Sequence, residues 1–168
     1  YYEDTTATHT AGDLASMTLN VYKRLPDDDR AIDNDHAAQF AVSMEANEET
    51  SAFEFWRRAF LHALLWSNGY AWIDWSADPI ALYNLLPDRT APVRTKDGTL
   101  FYVTEVRRDG VPKLESIRRE AMLHIKGLSL DNDRGLDLIE HARNSFGLAI
   151  AAEGYGAKGN DAFPELYQ

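Results

Sequence analysis

The sequence predicts an α+β fold, a mixed or antiparallel sheet packed with two long helices at about 51–67 and 136–158. Two stretches with apolar residues at helical spacing mark the helices. Between them, residues 70–125 break into short alternating runs separated by turn chemistry, the pattern of an antiparallel sheet. The chain has 168 residues, 45% of them hydrophobic and 26% charged, which suits one ordinary domain and excludes a low-complexity chain.

Residues 1–13 are polar and Thr-rich (Thr5, Thr6, Thr8, Thr10) and read as a flexible arm. Residues 14–25 alternate as a strand does, with Met17, Leu19 and Val21 on one parity and Thr18, Asn20 and Tyr22 on the other. Pro26 and the Asp27-Asp28-Asp29 triplet end it. Residues 27–50 are acidic and hold no sustained period, so they read as a loop with a short helix around 36–42. Ser51-Ala52-Phe53-Glu54 fits a capping box, in which the Ser51 hydroxyl covers the amide three residues on and Glu54 reaches back. Phe53, Trp56, Phe60, Leu64 and Leu65 recur at helical spacing, which makes Phe60 a core candidate and predicts burial on more than one side. Asn68-Gly69 supplies a left-handed stop after about 17 residues, or ~25 Å.

The sheet follows. Residues 70–75 alternate and lead into 80–86, Pro87-Asp88 turns the chain, and 91–94 is a short strand. Lys96-Asp97-Gly98 signals a hairpin into 100–106, and Arg108-Asp109-Gly110 is another turn. Arg118-Arg119-Glu120 interrupts the pattern before a strand at 122–125. From 136 to 158, Leu138, Ile139, Ala142, Phe146, Ala149, Ile150 and Ala152 make one apolar side of a helix roughly 33 Å long, with Asp133 or Asp137 as its cap. Residues 14–158 therefore read as a single body, and 159–168 as the tail of a truncated or partly disordered chain.

Several chemistries are excluded or disfavoured. No cysteine is present, so Zn–thiolate sites and thiol catalysis are ruled out. No apolar run reaches the ~20 residues that span a bilayer, so no membrane partner is expected. A net charge of −10 disfavours tight phosphate binding. Gly154-Tyr155-Gly156-Ala157-Lys158-Gly159 spells a dinucleotide fingerprint but lies where a helix ends, whereas that site needs a strand before it and a helix after it. Asp131-Asn132-Asp133-Arg134-Gly135 resembles a calcium loop yet lacks the ligands that should follow at Gly135 and Ala142 and the glycine due at Leu136. The five histidines show no ligand spacing, and the carboxylates form no positioned acid–base pair. No catalytic, cofactor-binding or metal residue is expected. The aromatic strand stands out locally: Tyr70, Trp72 and Asp74 share one face, and Ala71, Ile73 and Trp75 the other. Such a row packs against a helix or a neighbouring subunit, or else forms an aromatic-faced surface for carbohydrate or peptide.

The order and wording of the elements resemble HK97-like bacteriophage portal proteins over about 14–158. Residues 19–26 (L-N-V-Y-K-R-L-P) are similar to that family's early strand, and Asp35-His36 to the D-H after it. Residues 50–56 (T-S-A-F-E-F-W) resemble its helix opening, Asn68-Gly69-Tyr70-Ala71 its helix exit, and 85–89 (L-L-P-D-R) its P-L-x-P-D-R segment. Residues 124–129 (H-I-K-G-L-S), Gly135-Leu136 and 139–143 (I-E-H-A-R) resemble the run that follows, and 147–157 its alanine-rich continuation. Asp137-Leu138 stands where the family commonly has Ser-Pro, a change that keeps a helix cap. After Lys158 the family's Phe-rich segment is missing, so part of the subunit is expected to be absent.

The resemblance implies a structural protein without catalysis or cofactor, a homo-oligomeric ring (a dodecamer in the full protein) at one capsid vertex. The ring forms the channel for DNA packaging and ejection. It implies contacts with terminase, the major capsid protein and a head–tail connector, and transient contact with double-stranded DNA. The place implied is the virion, and the bacterial host cytoplasm during assembly. A ring built from one repeated contact needs complementary surfaces, for which Trp72, Trp75, Arg107 and Arg108 are the candidates. Titration calorimetry with ATP and with Zn²⁺ is expected to show no micromolar binding. A micromolar isotherm for either would contradict the missing phosphate loop and ligand cluster.

Overall fold

The structure, a computed structural model of the chain, describes residues 5–108, 111–129 and 133–136. The chain divides into Tyr1–Leu136 and Asp137–Gln168, and every described residue belongs to the first unit. The helix expected over 136–158 (Leu136 apart), the glycine motif at 154–159 and the tail at 159–168 lie outside the described residues, as do Asp131 and Asn132.

Alanine spacing explains the first element. Ala7, Ala11 and Ala15 recur four apart, and Thr5–Ala15 forms helix α1, with Ala11 and Ala15 buried. The arm expected over 1–13 is therefore helical from Thr5 on; threonine content hid a stripe narrow enough for close helix packing. The strand expected over 14–25 shrinks to β1 (Tyr22–Arg24), which pairs with β2 (Arg30–Ile32) around the Asp triplet. Upstream, a side chain takes the place of a strand partner. The Gln39 Oε1 accepts the Val21 amide at 2.7 Å, and its Nε2 donates to Asn20 at 2.8 Å. Gln39 opens α2 (Gln39–Ser43), the short helix expected near 36–42. Strands β3 (Glu45–Asn47) and β4 (Thr50–Ser51) complete a region read from sequence as loop.

Helix α3 (Ala52–Trp66) begins at Ser51, whose hydroxyl accepts the Glu54 amide at 3.3 Å. The Glu54 carboxylate turns to Arg57 at 3.2 Å. The buried face differs from the expected one. Ala52, Phe55, Ala59, His62 and Ala63 are buried, whereas Phe53 and Leu64 are exposed and Phe60 is half-buried against Trp56. The reason is the approach of β5 (Asn68–Asp74), which follows at once. A Cβ on Gly69 would collide with the Ala59 carbonyl, so the helix must present alanine there. Ser67, not Asn68-Gly69, takes the left-handed stop, with φ 55°.

Strand β5 is the centre of a three-stranded antiparallel sheet, flanked by β6 (Ala81–Leu85) and β10 (Met122–Lys126). A second antiparallel sheet runs β7 (Thr90–Arg94), β8 (Leu100–Arg108), β9 (Val111–Arg118) in space as in sequence. The period of two sorts the central sheet's side chains. Ala71 and Leu82 meet Phe55 of α3 on one face, while Tyr70 and Met122 meet Tyr102 of β8 on the other. The unit is thus layered: helices, central sheet, second sheet. Phe55→Ala should cost ~3–5 kcal/mol and Ser51→Ala ~1 kcal/mol, while Phe53→Ala should cost less than about 1 kcal/mol. Equal losses for Phe53 and Phe55 in denaturant melts would refute this buried face.

Candidate functional site

Where α3 gives way to β5, a polar clasp is buried between the layers. Asn68 Nδ2 donates to the carbonyls of Trp66 (2.9 Å) and Gly135 (3.1 Å). Its Oδ1 accepts from the Gly135 amide at 2.8 Å and lies 3.1 Å from His124 Nε2. An imidazole nitrogen facing a carbonyl oxygen must carry the proton, so Nε2–H donates and Nδ1 accepts from the Tyr102 hydroxyl at 3.2 Å. Burial, with Lys126 adding to it, holds the His124 pKa down to about 4, so the ring is neutral in the fold. Tyr70 stacks on His124 at 4.3 Å, and burial pushes its phenol up to about 12. Nearby, Arg94 grips Asp133 with two hydrogen bonds and the Gly127 amide donates to Ser67 at 2.9 Å. Asp133, drawn from the expected calcium-loop lookalike, is therefore committed to an arginine. Among the described residues no three His, Asp or Glu side chains gather as a metal site requires.

The aromatic strand faces the second sheet at one end and opens at the other. Trp72 stacks on Tyr83, its cross-strand partner, with ring centres 5.5 Å apart, and remains 36% exposed. A groove of about 460 Å³ lies beside it, lined by Leu85, Val106, Ile117, Arg118 and Ala121. Trp75 is 52% exposed, and its indole N–H donates to the Glu120 carbonyl at 3.0 Å. The backbone of Arg107 and Arg108 pairs with Pro112 and Val111 in the β8–β9 hairpin; their side chains lie outside the described residues. The structure thus brings Trp72 to Val106, the neighbour of Arg107, and ties Trp75 to the turn that follows β9.

Sequence reasoning missed two features. Strand β9 went unassigned, although Glu115 and Ile117 point inward on alternate positions while Leu114 and Ser116 point out. The clasp was also missed, since one Asn at a helix exit looks like any turn residue. Neutral His124 gives the clasp a pH dependence. The unfolded imidazole titrates near 6.5, so between pH 6.5 and about 4 the unfolded chain binds the extra proton. Stability is full above that window and falls as pH drops through it; buried His62, also lowered, acts in the same direction. Denaturant midpoints from pH 7.5 to 4 should fall less for His124→Gln than for the wild type; parallel profiles would remove His124 from this role.

The phage portal protein family model matches residues 6–162. No curated protein matches. Among solved structures, the neck of an empty GTA particle computed with C6 symmetry matches with TM-score 0.58 and 18% identity, covering 94% of this chain and 42% of that one. The neck of the native GTA particle computed with C12 symmetry matches with TM-score 0.58 and 16% identity, over 94% and 41%. The virion of the native gene transfer agent particle gives 0.57 and 18%, over 94% and 41%. At these identities the likeness is one of fold, and the chain spans about two fifths of the length of the chains it matches. With the family model covering nearly its whole length, this chain belongs to the phage portal protein family.

Proposed function

We propose that the chain is a ring-forming structural subunit of the HK97-like portal type, set at a capsid vertex, with DNA passing through its ring and terminase, capsid protein and a head–tail connector docking around it. It performs no catalysis. Residues 14–158 serve as the body of the subunit and 159–168 lead away from it. One observation carries the assembly reading. Nine of the fifteen buried hydrophobic residues are alanine, while fifteen large hydrophobic side chains are exposed among the described residues. Two of them, Met17 and Phe53, border one groove together with Val42 and Trp56, and apolar surface gathered in this way marks contact with other proteins. A net charge of −10 suits a channel through which DNA must slide, because strong phosphate contacts would hold it back.

The carbohydrate- or peptide-binding alternative needs an open aromatic row, and Trp72 is occupied by Tyr83 while the Trp75 N–H is spent on Glu120. Sedimentation of the full-length protein decides between them. The wild type should run as a ring, and alanine at Trp72, Trp75 and the Arg107-Arg108 pair should shift it toward smaller species by about tenfold or more in assembly constant. A monomeric wild type whose Trp fluorescence responds to oligosaccharide or peptide would replace this reading with the alternative.

A further inference from the structure

We infer that Asp133–Leu136, the last residues of the first unit, form a salt-sensitive latch, held from outside by Arg94 of the second sheet and from inside by Asn68 of the central one. The inference does not depend on the ring reading. Arg94 closes β7, and the hairpin turn that follows aims its side chain. The Thr95 amide donates to the Thr99 carbonyl and the Gly98 amide to that of Thr95, both at 3.0 Å. The carbonyl of Gly98, a residue with φ 86°, accepts from Arg94 Nη1 at 2.8 Å. The other two nitrogens, Nε and Nη2, each donate to one oxygen of the Asp133 carboxylate. Such a two-pronged grip fits a carboxylate in geometry as well as in charge. Arg94 holds this carboxyl below its ordinary pKa, and Lys126 and Arg119 add positive potential in the same direction.

Two residues on, the hold has a different character. The amide and carbonyl of buried Gly135 are both bound by the Asn68 side chain. Neutral groups bonded out of contact with solvent are little affected by dissolved ions, whereas an exposed ion pair is screened as salt is added. Arg94 and Asp133 are 48% and 30% exposed. The segment therefore has one lock that ionic strength weakens and one that it leaves intact. Arg94 belongs to β7 and Asn68 to β5, so the segment also bridges the two sheets, as the contact of Tyr102 with His124 does. The Ser129 hydroxyl and the Leu136 amide bond to the Arg134 and Leu128 carbonyls, within the same stretch of chain, and tie it to neither sheet. The second unit begins at Asp137. Ionic strength thus sets how firmly the chain is tied just before it.

Trypsin reads this latch, because the bond after Arg134 lies inside it and is cut in proportion to how often the segment opens. The full-length protein is digested under native conditions with an isotope-labelled free peptide of sequence 130–138 in the same tube to correct for the protease. Cleavage is followed by mass spectrometry. At low salt Arg94→Gln, which leaves the sequence around the bond unchanged, should raise its rate about two- to fivefold. At about 1 M KCl, where the screening length is ~3 Å, the wild type should rise to the variant's rate and the variant should not respond. Asp133→Asn, followed against its own peptide, should give the same rise, and the double variant no more than either alone. This second variant keeps the test open should Arg94→Gln loosen the fold at large, which faster cleavage after Arg57 would report. Equal low-salt rates in the wild type and Asp133→Asn overturn the latch. So does a single variant that responds to salt as the wild type does, or a double variant in which the two rises multiply.

Discussion

Asn68 occupies the step from α3 to β5, and its amide is shared among four groups: the Trp66 carbonyl, both backbone groups of Gly135, and the His124 imidazole. Two of these need a donor and two an acceptor, so only a side chain with both ends serves. Aspartate would set a carboxylate against two carbonyl oxygens, and alanine would leave buried polar groups unmatched at about 1–3 kcal/mol each. The backbone must come close for this to work. A Cβ on Gly135 would overlap the Ser67 carbonyl, and one on Gly69 would overlap that of Ala59. The clasp therefore depends on glycine at two positions and on a left-handed Ser67 between helix and strand.

From that point the layers are set. His124 lies opposite Tyr70 in the β10–β5 register, so fixing its ring fixes the face of the central sheet that meets β8. Tyr102 closes the network from the second sheet, and Tyr70, Tyr102 and Met122 pack around it. The Tyr70 hydroxyl has no hydrogen-bond partner among the described residues. Its ring contributes by stacking, and the buried phenol stays protonated. Two residues farther along β5, on the same face, Trp72 lies against the groove lined by Val106 and Ile117 of the second sheet. Inner order and outer surface are thus two ends of one strand.

Much of this was legible where local chemistry decides structure. The turns at Pro87-Asp88 and Lys96-Asp97-Gly98, the break at Arg118-Arg119-Glu120 and the Ser51 cap all fall where the residues predict them. What could not be read was which apolar side is buried. Period alone favours Phe53, Phe60 and Leu64 because they are large, but helix–sheet distance at Gly69 selects Ala59 and Ala63 instead. The same preference for size hid α1, whose buried side is alanine. Of the candidate contact residues, Trp72 and Trp75 are exposed as a docking surface requires, yet each also has an internal partner that no one-dimensional pattern announces. Family resemblance was legible from the order of its short motifs, which does not depend on which face is buried.

An alanine-lined core explains why size misleads. Interiors built on small residues let helices and strands approach closely, but each buried alanine removes little apolar area from water, at about 25 cal/mol per Å². Large side chains that would add to a monomer's stability are instead exposed, among them Phe40 of α2, Phe53 and Leu64 of α3, and Val111 and Leu114 of β9. In the ring proposed above, a chain divided in this way adds to its apolar burial on meeting another copy. Association then stabilises the fold by mass action, in proportion to how much tighter the folded state binds its neighbour than the unfolded state does. In a closed ring every copy meets a neighbour on each side, so no contact surface is left at an open end to recruit further copies. In the proposed ring, the alanine-rich core and the exposed large side chains are therefore one arrangement, in which the unit completes its packing by assembling.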